Sequence, residues 1–184
     1  MLVYVIRHGQ SQSNLRKQWT GWLDAPLTEE GRTHAEKVGA YLQGMDFDRV
    51  YASDLLRARD TAAIALPHAA VITTPLLREI DVGSLAGQPL SAGNAEQCHQ
   101  LDYSAFGGET EEGFFRRITA MKEELSPLPC QKVALFCHAG WLRGMLDSVL
   151  GLHLPMEHIR CDNGTIAVFA CTDGQWQLHS WINL

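Results

Sequence analysis

The chain has 184 residues, 46% of them hydrophobic and 20% charged. That fits one domain whose core needs neither disulfide nor metal, and it excludes a mostly disordered chain. Fifteen Lys and Arg against 21 Asp and Glu give a net charge of −6. This argues against a nucleic-acid-binding module and against adhesion to an anionic membrane, though an anionic substrate needs only local positive charge.

Met1 leads directly into a strand-like run, with no basic start and no cleavable apolar segment, and no apolar stretch is long enough to cross a bilayer. The five cysteines are odd in number and form no C-x-x-C. They read as reduced, small buried hydrophobes, and a cytoplasmic location is expected.

Leu2 to Ile6 is apolar and β-branched and ends at Arg7-His8-Gly9, a buried strand delivering a loop. Thr28 before Glu29-Glu30-Gly31 caps a helix carried to about Gly44 by Ala35, Val38 and Leu42. Phe47 to Ala52 reads as a strand. Ser53-Asp54 offers the cap of a second helix, through Leu55, Ala58, Ala62 and Ala65, which Pro67 ends. Ala70 to Thr73 is a third short strand.

Residues 83–108, with glycines at both ends, Pro89 and a weak helical patch at 95–101, read as a lid-like excursion over the surface. Thr110 to Leu125 is a helix with Phe114, Phe115, Ile118, Met121 and Leu125 on its apolar face. Lys132 to Cys137 is a strand ending in His138-Ala139-Gly140, followed by a helix from Trp141 to Leu150. Thr165 to Cys171 and Gln175 to Trp181 form a hairpin through Asp173-Gly174. The alternation predicts a three-layer α/β/α sandwich over residues 1–184. Its central sheet is mostly parallel, with an antiparallel C-terminal hairpin. Two strands end in His before a helix, which puts His8 and His138 at one edge of that sheet, where such folds bind ligands.

The turn Arg7-His8-Gly9-Gln10-Ser11, with Asn14 beyond it, can turn backbone N–H groups and the Arg7 fork toward an anion. A neutral His8 can attack phosphorus through a ring nitrogen, and nearby Arg cations favour the neutral form.

The segment from Leu2 to Asn14 resembles the opening of the histidine phosphatase superfamily, the phosphoglycerate mutase-like group. Further stretches are similar to that family's motifs in the same order: Gly21-Trp-Leu-Asp24-Ala-Pro-Leu-Thr28-Glu-Glu-Gly31, Ser53 to Ala62, Leu77 to Gly83, Gly107-Gly-Glu-Thr110 and Cys137-His138-Ala-Gly140. The resemblance implies that His8 becomes phosphorylated, that Arg7, Arg57 and His138 bind the phosphoryl oxygens with Asn14 in support, and that Glu79 donates the proton. It implies no cofactor and no metal. The roles are chemically coherent. Fixed cationic donors can neutralise a phosphoryl group, and a carboxyl beside a phosphate dianion retains a proton for the leaving alkoxide.

Rival readings exist at several positions. Arg59 competes with Arg57, and Asp81 with Glu79. Trp19 and Trp22 either wall the pocket or pack. His34, His68, His99, His153, His158 and His179 read as surface or packing residues, and His153 with His158 lacks the acidic neighbours of a zinc site. The chain departs from the family pattern at Cys137, Ala139 and His34, and after Gly83.

Within the superfamily the sequence favours a phosphomonoesterase. No Lys or Arg lies between Arg78 and Arg116, whereas a phosphoglycerate mutase must also hold a carboxylate and keep water out. Tyr103, Phe106 and His99 in the excursion suggest a substrate with an apolar or aromatic moiety, as in an alpha-ribazole phosphate. The expected partner is a small phosphorylated metabolite, with no nucleic acid and no membrane; oligomeric state is left open. The alternatives are a phosphoglycerate mutase and a silent member that only binds a phosphorylated ligand.

Overall fold

Strand β1 (Leu2–Arg7) is apolar throughout its middle because both its faces are covered. Val3 and Val5 enter one core while Tyr4 and Ile6 enter the other. The computed structural model describes residues 1–92, 101–152 and 158–184. Among these the elements run β1, α1 (Gln12–Leu15), α2 (Glu29–Leu42), β2 (Arg49–Ser53), α3 (Leu56–Ala65), β3 (Val71–Thr74), α4 (Glu111–Leu125), β4 (Lys132–Cys137), α5 (Ala139–Leu150), β5 (Ile166–Thr172) and β6 (Gln175–Ile182). Short 3-10 turns at Pro75–Leu77, Gly83–Leu85, Leu90–Ala92 and Ser104–Phe106 fill the rest.

The six strands form one sheet in the order β3-β2-β4-β1-β5-β6. The first four are mutually parallel, β5 runs antiparallel to β1, and β6 returns antiparallel to β5. Phe114, Ile118 and Met121 of α4 and Trp141, Leu142 and Met145 of α5 pack on one face. Val38 and Leu42 of α2 with Ala62 and Ala65 of α3 pack on the other. The mostly parallel α/β sandwich and its C-terminal hairpin are therefore as the sequence implies, and element boundaries shift by two residues or fewer. Among the described residues no helix is long and apolar enough to cross a membrane.

Three local expectations change. Helix α3 is not capped by Ser53-Asp54: its N-cap is Leu55, which has no side-chain capping bond. The N–H of Leu56 donates instead to Asp24 Oδ1 at 2.6 Å, across 32 residues of sequence, and Asp54 forms a bidentate pair with Arg78. A tertiary carboxylate thus does the work expected of a local cap.

Second, the turn after His8 contains helix α1, closed by a capping box between Ser11 and Asn14. Third, the described flanks of the 83–108 excursion do not lie loosely over the surface. Leu85, Leu101 and Tyr103 are buried in the α4/α5 core, and backbone bonds from Trp19 to Gln88 and from Leu90 to Lys17 stitch the segment to the loop after α1. The patch expected at 95–101 lies outside the described residues except for Leu101.

The loop after β1 rests against the first turn of α2 with almost no clearance. A Cβ on Gly31 would stand 2.0 Å from the carbonyl oxygen of Gln10, and one on Gly9 would stand 2.1 Å from that of Gly31. A helical Gly→Ala change at an open position gains about 0.5–1 kcal/mol. Gly31→Ala should instead destabilise the protein by about 1–3 kcal/mol through overpacking. Urea unfolding measures the sign, and a neutral or stabilised variant contradicts this contact.

Candidate active site

In the register of β1 with β4, Arg7 pairs with Cys137. The residue after each strand is a histidine, so His8 and His138 emerge side by side at the carboxyl edge. The His8 N–H donates to the Cys137 carbonyl at 3.0 Å, and the two rings meet edge to face with centroids 5.0 Å apart.

His8 is almost completely buried. Its Nδ1 lies 2.6 Å from the Gly9 carbonyl, and a carbonyl oxygen only accepts, so Nδ1 carries the proton. Arg57 Nε–H donates to His8 Nε2 at 3.1 Å, which requires a lone pair there. Both contacts fix the same tautomer, with Nε2 as the nucleophilic nitrogen. Burial, and then the Arg57 and Arg7 cations, hold the imidazole far below its ordinary proton affinity; the Gly9 bond opposes this only in part. His138 is pushed the same way by burial, Arg57, His8 and Arg7.

Arg57 comes from the first turn of α3 and is 1% exposed. Its Nη1 donates to the Leu23 carbonyl and its Nη2 to the Gly21 carbonyl. Burial lowers its pKa to about 10, which leaves it charged at neutral pH. The rival Arg59 is exposed. Arg7 donates through Nη1 to the Cys161 carbonyl. Its Nε and both ring nitrogens of His138 are buried with no hydrogen-bond partner among the described residues.

Glu79 reaches the same edge from the segment after β3. Its Oε2 accepts from the Gly140 N–H in the first turn of α5, and its Oε1 from the Ile80 N–H, each at 3.0 Å. The approach depends on Gly140, where a Cβ would come within 2.3 Å of Oε1. The rival Asp81 turns away and accepts from the Gly83 N–H. Asn14 Oδ1 accepts from Ser11 N–H and Asn163 Nδ2, so the amide group it has left for a ligand is Nδ2.

A cavity of about 610 Å³ opens above this floor and is reached by Arg7, Asn14, Glu79 and Gly140. Trp19, Ile80, Val82, Leu90, Leu101 and Tyr103 make its walls apolar. Trp19 thus lines the cavity, whereas Trp22 is 38% exposed and donates to the Glu79 carbonyl. Phe106 packs against the core instead. His99 and His153 lie outside the described residues. Among those described, no cluster of three His, Cys, Asp or Glu side chains is placed to hold a metal ion.

All six residues singled out from the sequence, Arg7, His8, Asn14, Arg57, Glu79 and His138, converge here. Sequence reasoning missed Lys17 and Arg143, two cations that also line the cavity. Both lie outside the cation-free stretch between Arg78 and Arg116. Lys17 comes from the loop after α1 and Arg143 from the second turn of α5, and no spacing rule connects them. It also missed Asn163, which donates to the His8 carbonyl at 3.0 Å.

The whole of residues 3–184 matches the family model of the histidine phosphatase superfamily (branch 1). A 2,3-bisphosphoglycerate-dependent phosphoglycerate mutase of Methylobacterium radiotolerans is 41% identical over 86% of this chain and 85% of its own. A broad-specificity phosphatase of Saccharomyces cerevisiae is 32% identical over 79% of this chain and 68% of its own. The crystal structure of the alpha-ribazole phosphatase from Shigella flexneri is 25% identical, covers 98% of this chain and 96% of its own, and superposes with a TM-score of 0.85.

The buried neutral histidines make a stability prediction. His8 and His138 take up protons more readily in the unfolded chain, where their pKa is about 6.5, than in the folded one. Above that pH they cost nothing. As pH falls below it, stability should drop by up to about 2.7 kcal/mol per pH unit for the pair, until the folded values are reached. His34, also lowered by burial, adds a smaller part. Urea titrations between pH 7.5 and 5 measure the slope, and His138→Asn should flatten it. A slope of zero, or one that His138→Asn leaves intact, contradicts the neutral buried state.

Proposed function

The chain belongs to the histidine phosphatase superfamily, and from that premise we propose that it hydrolyses small phosphomonoesters through a phosphohistidine on His8. The observation that carries this reading is the set of buried, unpartnered nitrogens around His8, namely Arg7 Nε and the two of His138. A buried polar group without a partner costs about 1–3 kcal/mol. A phosphoryl group supplies acceptors for the donors in this set, and its charge matches the Arg7 and Arg57 cations.

In this mechanism His8 Nε2 attacks phosphorus as the ester P–O bond breaks. Glu79 gives its proton to the departing alkoxide. Water then attacks phosphorus, the P–N bond breaks, and Glu79 takes the proton back. Charge neutralisation comes from Arg7 and Arg57, with Asn14 Nδ2 and His138 as further hydrogen-bonding groups. The apolar walls from Trp19 to Tyr103 favour a leaving group with an apolar or aromatic moiety, in the manner of an alpha-ribazole phosphate.

A second reading has its own support. Lys17 and Arg143 in the cavity wall are the kind of cations that a second anionic group, such as the carboxylate of a phosphoglycerate, would need. Mutase activity is therefore the competing outcome of the assay.

The assay supplies a panel of phosphomonoesters in excess chelator and, separately, 3-phosphoglycerate with its bisphosphate primer. Phosphate release should exceed formation of 2-phosphoglycerate, should survive the chelator, and should fall at least about 10³-fold in His8→Ala. Efficient interconversion replaces the hydrolase reading with the mutase. Full activity in His8→Ala removes the phosphohistidine, and absence of any turnover leaves a phospho-ligand-binding protein.

The proton donor has a separate test. A nitrophenolate departs with little need of a proton, whereas an alkoxide needs one in the transition state. Glu79→Gln should slow the first chemical step far more for an alkyl phosphate than for p-nitrophenyl phosphate in single-turnover measurements. Asp81→Asn should leave that difference alone. If the difference follows Asp81, the wrong carboxylate is assigned.

A further inference from the structure

Arg116 and Arg117 are adjacent on α4. The structure separates them. Among the described residues Arg116 pairs with Glu112 alone, and both side chains are largely in solvent. Arg117 and Glu109 are 15% and 13% exposed, and all five N–H groups of the Arg117 guanidinium have acceptors.

Nε and Nη2 of Arg117 take the two carboxylate oxygens of Glu109, each at 2.7 Å. Nη1 donates to the carbonyls of Leu76 and Arg78 at 3.1 and 2.9 Å, and Nη2 donates to that of Glu79 at 3.2 Å. Glu109 grips the same segment farther along. Its Oε2 accepts from the Asp81 N–H at 3.3 Å, and its own N–H donates to the Asp81 carbonyl at 2.9 Å.

Residues 78–82 have no regular secondary structure, so no helix or strand ladder fixes their backbone. Arg117 and Glu109 supply that ladder from side chains, at Leu76, Arg78, Glu79 and Asp81. Among the described residues the Glu79 carboxylate is held by its bonds from Gly140 and Ile80, and otherwise by the backbone beneath it, whose Glu79 carbonyl also accepts from Trp22. A planar fork with five donors can span three carbonyls and a carboxylate together; an ammonium has three donors and no fork. Because Glu109 pairs with Arg117 at both oxygens, the cation at this spot is locally balanced. What the pair contributes to Glu79 is chiefly geometry.

We infer that Arg117, set by Glu109, is a positioning residue for Glu79 and holds the proton-transferring carboxyl in line with the leaving oxygen. The inference rests on the reading of Glu79 as the proton donor. General acid catalysis is lost steeply with small displacements of the acid. A brace that only stabilised the fold would affect every substrate alike, whereas a brace for the acid affects substrates according to how much they need a proton.

The test therefore compares leaving groups. Arg117→Lys should slow the first chemical step for an alkyl phosphate by about 10- to 100-fold and for p-nitrophenyl phosphate by less than about threefold. Glu109→Gln keeps the shape but loosens the fork, and should show the same split if Arg117→Lys does not fold. Arg116→Lys, in solvent next door, should change neither rate. In a Glu79→Gln background, adding Arg117→Lys should not widen the split further. Equal slowing of both esters, or a split that widens without Glu79, overturns the positioning role while leaving Glu79 as the donor. If Glu79→Gln itself produces no split, the proton-donor reading and this inference both fall.

Discussion

The guanidinium of Arg57 is buried without a carboxylate in ion-pair contact among the described residues, and much of the site follows from how that charge is accommodated. Taking an ion out of water costs several kcal/mol unless its hydrogen bonds are replaced. Here the carbonyls of Gly21 and Leu23 and the lone pair of His8 Nε2 replace them. Each partner is constrained in turn. Gly21 takes φ +47°, the loop that carries it continues to Asp24, and Asp24 caps the helix from which Arg57 springs. His8 must keep Nε2 unprotonated to accept from Arg57, and the same cation makes a second proton there unfavourable. With Arg7 nearby, the buried floor is cationic overall, and the protein meets an incoming anion with charge already fixed in place.

The placement of the site residues was legible in the sequence to the extent that it was local. His8 and His138 each follow a strand whose apolar run marks it as central, and the β1–β4 register then makes them neighbours. Arg57 and Arg59 stand two positions apart, on roughly opposite faces of α3, and it was the family motif that singled out Arg57. Glu79 was separable from Asp81 for the same reason, and Gly140 shows why the motif holds: it clears the space into which the carboxylate fits.

What stayed hidden was built by tertiary contact alone. Asp24 caps a helix 32 residues away, Arg117 braces a loop 38 residues before it, and Lys17 and Arg143 converge from separate elements. Lys17, Arg117 and Arg143 belong to no motif in their own segments, and the motif that contains Asp24 does not reveal that it caps α3. The described flanks of the 83–108 excursion differ from the expectation for a related reason: glycine and proline announce irregular backbone, but only packing decides whether such backbone lies on the core or over it. Leu85, Leu101 and Tyr103 lie on it.

The division between what local pattern shows and what it hides follows the division of labour in the site. The groups around His8 stand at the ends of β1 and β4 and on the first turn of α3, where the sheet and its covering helices hold them with little freedom. The wall of the cavity comes from elsewhere, from the loop after α1, the irregular residues past Glu79 and the second turn of α5. Changes in those walls alter which leaving group fits without disturbing the geometry at phosphorus. The chain is similar both to a relative named a broad-specificity phosphatase and to one named a phosphoglycerate mutase, and such a separation of floor from walls is compatible with both likenesses. In phosphoryl transfer generally, whether water or another oxygen receives the group depends on how long a site retains its substrate and how well it excludes water. In this chain those walls join an apolar face from Trp19 to Tyr103 with the cations Lys17 and Arg143, so apolar area and negative charge are two separate features by which such walls can distinguish one molecule from another.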